Sequence, residues 1–211
     1  LARLLLETED VIRSEELLDT CIALSPNHAP SRALWARLQH RRGRIDSAIE
    51  GLRIALRADE KYLPALCDLA VLLVETGKVE EARDYATQAV ELDPAEGAAQ
   101  LAMGVVLEAQ GHLSFAEQCL KNATDQNPDS FQGLMALARV YQRQGRHQES
   151  LATLDRLSDE QKQIPAARFA RAFSLARLGQ PQPARALFEA LLVEHPDPKT
   201  LLQLMDLYIQ T

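Results

Sequence analysis

The chain of 211 residues has few aromatic side chains, few cysteines and no excess of basic residues. Aromatics make up 5% of it, and its uninterrupted apolar runs are far shorter than the roughly 20 residues that a membrane-spanning helix needs. The three cysteines lie 46 and 52 residues apart without a C-x-x-C pair, which argues against a disulfide framework and a zinc site. The net charge of −7 at pH 7 disfavours nucleic acid as a partner. We therefore expect neither nucleic-acid binding nor direct membrane insertion.

The chain also lacks the short motifs of the common enzyme classes. No H-E-x-x-H, G-x-S-x-G, Walker or G-x-G-x-x-G sequence occurs. The five histidines share no spacing that suits metal ligands. We expect no catalysis, no metal and no cofactor in this chain.

Glycine, in contrast, recurs with a constant spacing of 34 residues. The positions are Gly43, Gly77, Gly111, Gly145 and Gly179. If each of these glycines is position 15 of a repeat, the chain divides into one array with seven parts. These parts are a truncated repeat 1–28, five full repeats 29–62, 63–96, 97–130, 131–164 and 165–198, and a capping or truncated helix 199–211. Leu1 then falls at position 7, inside a helix, so we expect the chain to be a piece of a longer protein.

Apolar residues within each repeat follow the period of a helix. Positions 4, 7, 8 and 11 share one face of a first helix, and positions 17, 20, 24 and 27 share one face of a second. The glycine at position 15 suits the C-terminal cap of the first helix, and small residues such as Ala70 and Ala82 allow the two helices to approach closely. Because one hairpin cannot bury its own apolar face, the pattern predicts an all-α stack of antiparallel helix hairpins without a sheet.

This pattern resembles the tetratricopeptide repeat over essentially the whole chain. The second full repeat matches the family best, through Leu66, Leu69, Ala70, Leu73, Gly77, Ala82, Ala86, Ala89 and Pro94. The resemblance implies an α-α superhelix, or solenoid, of stacked hairpins. Arg171 in an apolar column, Leu157 in place of Ala and a fourth repeat without its Pro predict less regular packing late in the array. The RNA-reading pentatricopeptide repeat is the alternative, which the strict 34-residue period and the acidic charge disfavour.

The resemblance also implies a concave groove lined by positions 2, 5, 9, 12 and 13 of the first helices. The predicted partner-binding residues are Arg37, Arg41, Cys67, Val71, Leu101, Val105, Met135, Arg139, Phe169 and Phe173. Their apolar members would supply binding energy to an amphipathic helix or an extended apolar segment. The alternative is that some of them pack between adjacent first helices. Cys67 with His40 is either a thiolate–imidazole pair or a packing cysteine near a surface histidine.

Two charge features bear on the partner. The repeat 29–62 carries a net charge of +4, and the next repeat carries −6. The basic group at Arg37 and Arg41 either steers an acidic partner or forms a solvated face. The family's carboxylate-clamp subset needs Lys and Asn where this chain has Ala33 and Arg37, so we exclude that subset.

These observations predict a non-enzymatic protein–protein interaction scaffold that binds a protein or peptide partner. We expect it to belong to a larger bacterial protein or assembly in the envelope, in secretion or in polysaccharide export. The cytoplasmic and periplasmic sides of a bacterial envelope both remain open. One alternative is a regulatory or substrate-recruiting region fused to an enzyme domain outside this chain. Another is self-association through the ends of the array.

Overall fold

A computed structural model describes residues 11–194 and 196–210 of the chain. Within these residues the structure has thirteen helices and no strand. They are α1 (Val11–Leu24), α2 (Ala29–Arg41), α3 (Ile45–Ala58), α4 (Leu63–Glu75), α5 (Val79–Leu92), α6 (Gly97–Ala109), α7 (Leu113–Gln126), α8 (Phe131–Arg143), α9 (His147–Asp155), α10 (Asp159–Lys162), α11 (Pro165–Arg177), α12 (Pro181–Glu194) and α13 (Pro198–Gln210). The all-α fold class predicted from the periodicity is confirmed. The predicted start of the array at residues 1–10 lies outside the described part of the chain.

The helices begin on the predicted 34-residue spacing. The first helices of the five full repeats begin at Ala29, Leu63, Gly97, Phe131 and Pro165. The second helices begin at Ile45, Val79, Leu113, His147 and Pro181. Each set advances by 34 residues, the same interval that separates the glycines.

The glycine of each repeat ends a first helix in the left-handed backbone conformation, with φ between 72° and 85° at all five positions. Gly145 shows the geometry in full. Its N–H donates to the carbonyl of Gln142, and the N–H of Arg146 donates to the carbonyl of Tyr141. A Cβ at Gly145 would meet no atom within 4 Å. The backbone angle, and not the available space, therefore requires glycine there.

Contacts divide the chain into two units, Leu1–Gln110 and Gly111–Thr211. In the first unit the hairpins α2–α3 and α4–α5 share one apolar core. Small residues at the predicted positions 8 and 20 are fully buried there, including Ala70 and Ala82. At Gly51 a Cβ would stand only 3.0 Å from a ring carbon of Trp35. Close helix approach in this unit thus depends on residues without large side chains.

The second unit is less regular. The second helix of its repeat 131–164, α9, has only 9 residues, and the four-residue helix α10 follows it. Ser158 starts α10 with a capping box, in which its hydroxyl accepts from the Gln161 N–H and the Gln161 amide accepts from the Ser158 N–H. Leu157 is buried beside α8, and Arg171 forms an ion pair with Asp155. These features explain the departures from the repeat pattern in this region.

Candidate partner-binding groove

The second unit contains a groove of about 650 Å³ along its first helices. Helix α8 contributes Met135, Arg139, Gln142 and Arg143. Helix α11 contributes Pro165, Ala166, Phe169, Ala170 and Phe173. The end of α12 and the start of α13 contribute Leu191, Asp197, Lys199, Thr200 and Gln203. We call this site the C-terminal groove.

Four of the predicted partner-binding residues lie together in the C-terminal groove: Met135, Arg139, Phe169 and Phe173. Each of the two phenylalanines packs against another aromatic ring. Phe169 meets the buried Phe188 edge to face at 5.5 Å, and Phe173 meets His147 in the same way at 5.9 Å. Phe169 and Phe173 form the apolar floor of the groove, and their contacts with Phe188 and His147 fix the positions of both rings.

Cations lie over both rings of the floor. The Lys199 ammonium nitrogen is 4.8 Å from the centroid of Phe169, and the guanidinium carbon of Arg177 is 5.3 Å from the centroid of Phe173. Both distances are within the range of a cation–π interaction. The apolar floor thus carries positive charge at its faces.

Among the described residues that line the groove, one carries a carboxylate, Asp197. Its Oδ2 accepts hydrogen bonds from the Thr200 N–H and from the Thr200 hydroxyl, both at 2.9 Å. These bonds lower the pKa of Asp197 below its ordinary value. The carboxylate is thereby directed to the start of α13, where it caps the helix.

A polar network beneath the floor joins α8 to α11. The Gln142 amide donates to the Ala170 carbonyl at 2.8 Å and to the Ser174 hydroxyl at 2.9 Å. The Ser174 hydroxyl in turn donates to Ser150 at 3.1 Å, and both serines are fully buried. Since buried hydrogen bonds are costly to leave unmade, the network fixes the register of the two helices that line the groove.

His147 lies behind Phe173 and is not exposed to the groove as a ligand. Its Nδ1 is buried and has no hydrogen-bond partner among the described residues. Burial lowers the pKa of His147, and the nearby Arg177 charge lowers it further. The imidazole is therefore neutral at neutral pH and acts as a packing group for the phenylalanine ring.

In the first unit the predicted basic residues are engaged within the chain. Arg37 Nε lies 2.6 Å from Asp68 Oδ2, and His40 Nε2 lies 3.0 Å from Glu75 Oε2, so both bonds join α2 to α4. Arg42, which follows Arg41 in the sequence, pairs with Glu15. These bonds favour a structural role for Arg37. The side chain of Arg41 is exposed.

The predicted apolar residues of the first unit differ in their exposure. Cys67 and Val105 are buried, whereas Val71 and Leu101 are half-buried. Burial raises the pKa of the Cys67 thiol to about 12, so the thiol is protonated at neutral pH. Since His40 is bonded to Glu75, the structure favours packing over a thiolate–imidazole pair. Cys21, in contrast, is exposed on α1.

Sequence reasoning missed the residues at the far side of the C-terminal groove. Lys199, Thr200 and Asp197 lie around the start of α13, at or beyond the end of the last full repeat. The sequence indicates part of this side, because the first-helix pattern continues into residues 199–211. It places Thr200 and Gln203 at positions 2 and 5, which are groove positions of the repeat. That pattern alone does not reveal that Lys199 covers Phe169.

The described part of the chain contains neither a cluster of metal-ligating side chains nor a membrane-spanning helix. No three His, Cys, Asp or Glu side chains within residues 11–194 and 196–210 gather in a way that suits a metal ion. None of the described helices combines the length and hydropathy that crossing a membrane requires.

Comparisons with known proteins agree with the fold. Two family models described as tetratricopeptide repeat match the chain, one at residues 73–139 and 116–172 and the other at residues 166–198. A curated relative, the cellulose synthase operon protein C of Xanthomonas axonopodis pathovar citri, is 34% identical over 143 residues, or 64% of this chain. The chain spans only 9% of the length of that relative.

Solved structures of similar fold are more distant in sequence. PilW, a widely conserved type IV pilus biogenesis factor, is 18% identical with a TM-score of 0.71, covering 97% of this chain and 94% of its own. YrrB, a tetratricopeptide-repeat protein with an unusual peptide-binding site, is 16% identical with a TM-score of 0.56, covering 90% of this chain and 97% of its own. At these identities the likeness concerns the fold alone.

Proposed function

Because the chain belongs to the tetratricopeptide-repeat family, we propose that it is a non-catalytic interaction module that binds a segment of a partner protein in the C-terminal groove. One observation carries the proposal. Four residues predicted to face a groove, Met135, Arg139, Phe169 and Phe173, come from two helices and line the same volume of about 650 Å³. An apolar side chain of a guest can be buried on such a floor. Its burial contributes about 25 cal/mol of binding free energy per Å² of apolar surface, before the entropy cost of ordering the guest.

A bacterial envelope assembly is the setting that the relatives support. The curated relative is named for a cellulose synthase operon, and one similar structure is a pilus biogenesis factor. The chain matches a small part of a much longer relative, which supports its working as one section of a larger protein. In this proposal it recruits or positions another component of the assembly, and it performs no reaction itself.

The test compares a groove residue with an exposed residue of the same type. Phe173 lies in the C-terminal groove, whereas Phe115 on α7 is 70% exposed and is not among the groove residues. A partner is first captured by the wild-type chain and then titrated calorimetrically against Phe173→Asp, Met135→Asp and Phe115→Asp. Losing an apolar anchor to a charge typically costs about 2 kcal/mol or more, or roughly 30-fold in affinity.

We expect Phe173→Asp and Met135→Asp to weaken binding by this amount, and Phe115→Asp to leave it within about twofold, since exposed sites away from an interface cost under roughly 0.5 kcal/mol. Circular dichroism and a melting curve establish that each variant is folded. Loss of binding in Phe115→Asp together with full binding in both groove variants would place the interaction on the second helices instead.

A further inference from the structure

We propose that the segment bound in the C-terminal groove carries an apolar anchor with acidic side chains on both sides of it. The inference rests on the proposed function and adds the chemistry of the guest. It follows from where the charges of the groove lie relative to its apolar floor.

The apolar part of the groove is central. Helix α11 packs against both α8 and α13, and it places Phe169 and Phe173 one turn apart in the groove. Ala166 and Ala170 are the small residues of α11 that line the groove beside these rings. An apolar side chain of the guest therefore fits between the two flanking helices.

Positive charge lies on both sides of this floor. Arg139 and Arg143 stand one turn apart on α8, and Lys199 lies at the start of α13 on the other side of α11. The described lining residues thus include three cations and one carboxylate, a local net charge of +2 in a chain of net charge −7. The net charge of the groove lining is therefore opposite in sign to the net charge of the chain.

The Asp197 carboxylate accepts two hydrogen bonds from Thr200 and keeps its negative charge, so it offsets part of the positive charge near Lys199 and leaves the described lining with a net positive charge. Arg177, over the face of Phe173, adds a further cation close to the floor. A guest with Glu or Asp on both sides of its anchor would place each carboxylate near a cation in a partly desolvated groove, where charge pairs are stronger than in water. A basic guest would place like charges together.

The probes are three short synthetic peptides with the same central Leu–Phe pair, flanked on both sides by Glu, by Gln or by Lys. Fluorescence anisotropy measures their binding to the full chain at low and at physiological salt. We expect the Glu peptide to bind at least tenfold more tightly than the Gln peptide, and the Lys peptide to bind most weakly. Added salt should narrow these differences, because it screens the charges.

Charge-removing variants locate the effect. Arg139→Gln with Lys199→Gln should weaken the Glu peptide much more than the Gln peptide, so that the affinities of the two peptides converge. The matched control is Arg156→Gln, which removes an exposed arginine of the same unit outside the groove. An equal loss in the control would show that the attraction is general, and it would overturn the inference.

Other outcomes separate this inference from the proposed function. If the Glu peptide binds no better than the other two, the acidic guest is wrong; if Phe173→Asp then abolishes what binding there is, the groove itself stands. If Phe173→Asp changes no peptide's affinity, the proposed function fails as well. If sedimentation shows a dimer that Phe173→Asp disrupts, a second copy of this chain fills the groove and the acidic guest is overturned.

Discussion

At the scale of single residues, Glu117 shows how a charge in a hydrogen-bond network stabilises the fold. Its carboxylate on α7 accepts hydrogen bonds from Lys121 at 2.7 Å, from Gln144 at 3.1 Å and from Arg146 at 2.8 Å. Lys121 and Arg146 also lie over the ring of Tyr141. Burial alone would raise the pKa of Glu117, but these hydrogen bonds outweigh it and lower the pKa to about 2.

Glu117→Gln should therefore reduce stability in a pH-dependent way. A carboxyl whose folded pKa is lowered from 4.5 to about 2 stabilises the fold fully above pH 4.5 and loses that effect as the pH falls towards 2. We expect the melting temperature of the variant to lie below that of the wild type at pH 7, with the gap closing between pH 4.5 and 2. Glu91→Gln, at an exposed site on α5, serves as the control. A gap that does not change with pH would contradict the role given to Glu117.

At the scale of helices, the sequence predicts the regular elements well because each carries its own local signal. The turn glycine ends the first helix through its backbone angle, and the apolar period marks the face that packs. For the fourth repeat the sequence predicts only less regular packing, whereas the structure divides its second helix into α9 and α10. The sequence does contain a local signal, the Ser158–Gln161 capping box, which starts a new helix. The 34-residue repeat pattern does not predict a helix start at this position.

The candidate site was predictable in part for a related reason. The first-helix positions of Met135, Phe169 and Phe173 follow from the repeat pattern together with the family resemblance. The bonds of Arg37 to Asp68 and the position of Lys199 over Phe169 depend on how neighbouring first helices stack. Stacking is a tertiary property, so one repeat read by itself does not contain it.

The connection between α9 and α10 leads to a prediction that differs from the family pattern. Leu157 stands where Ala is typical, yet it is 2% exposed and packs with Leu134, Leu154 and Ala167. Leu157→Ala should cost about 2–5 kcal/mol of unfolding free energy, because it leaves a cavity in a core built around the larger side chain. Urea unfolding measures the change, with Leu201→Ala, a site 48% exposed, as the matched control. A neutral or stabilising Leu157→Ala would mean that the core adjusts to the family residue.

At the scale of the whole molecule, the first helices of the second unit supply most of the groove lining, and charged side chains on both first and second helices bond to neighbouring helices. Arg53 on α3 pairs with Glu81 on α5, and Glu117 on α7 bonds to groups after α8. In such a fold each hairpin contacts only its neighbours, so stability is close to a sum of local terms. A binding surface can then vary without loss of the scaffold.

If stability is a sum of local contributions, a substitution in the core of one unit should destabilise the helices of that unit only. Phe188 on α12 is fully buried in the core of the second unit and meets Phe169 edge to face. Phe188→Ala should cost about 3–5 kcal/mol locally and should speed amide hydrogen exchange in α11, α12 and α13. We expect exchange in α3 to α5 of the first unit to stay at the wild-type rate, because those helices share no core with Phe188. Val193→Ala, on the same helix but 85% exposed, should change neither region. Mass spectrometry of peptide fragments measures both regions in one experiment. Equal acceleration in the two units would show that the chain unfolds as a single cooperative body, and the additive description of its stability would be wrong.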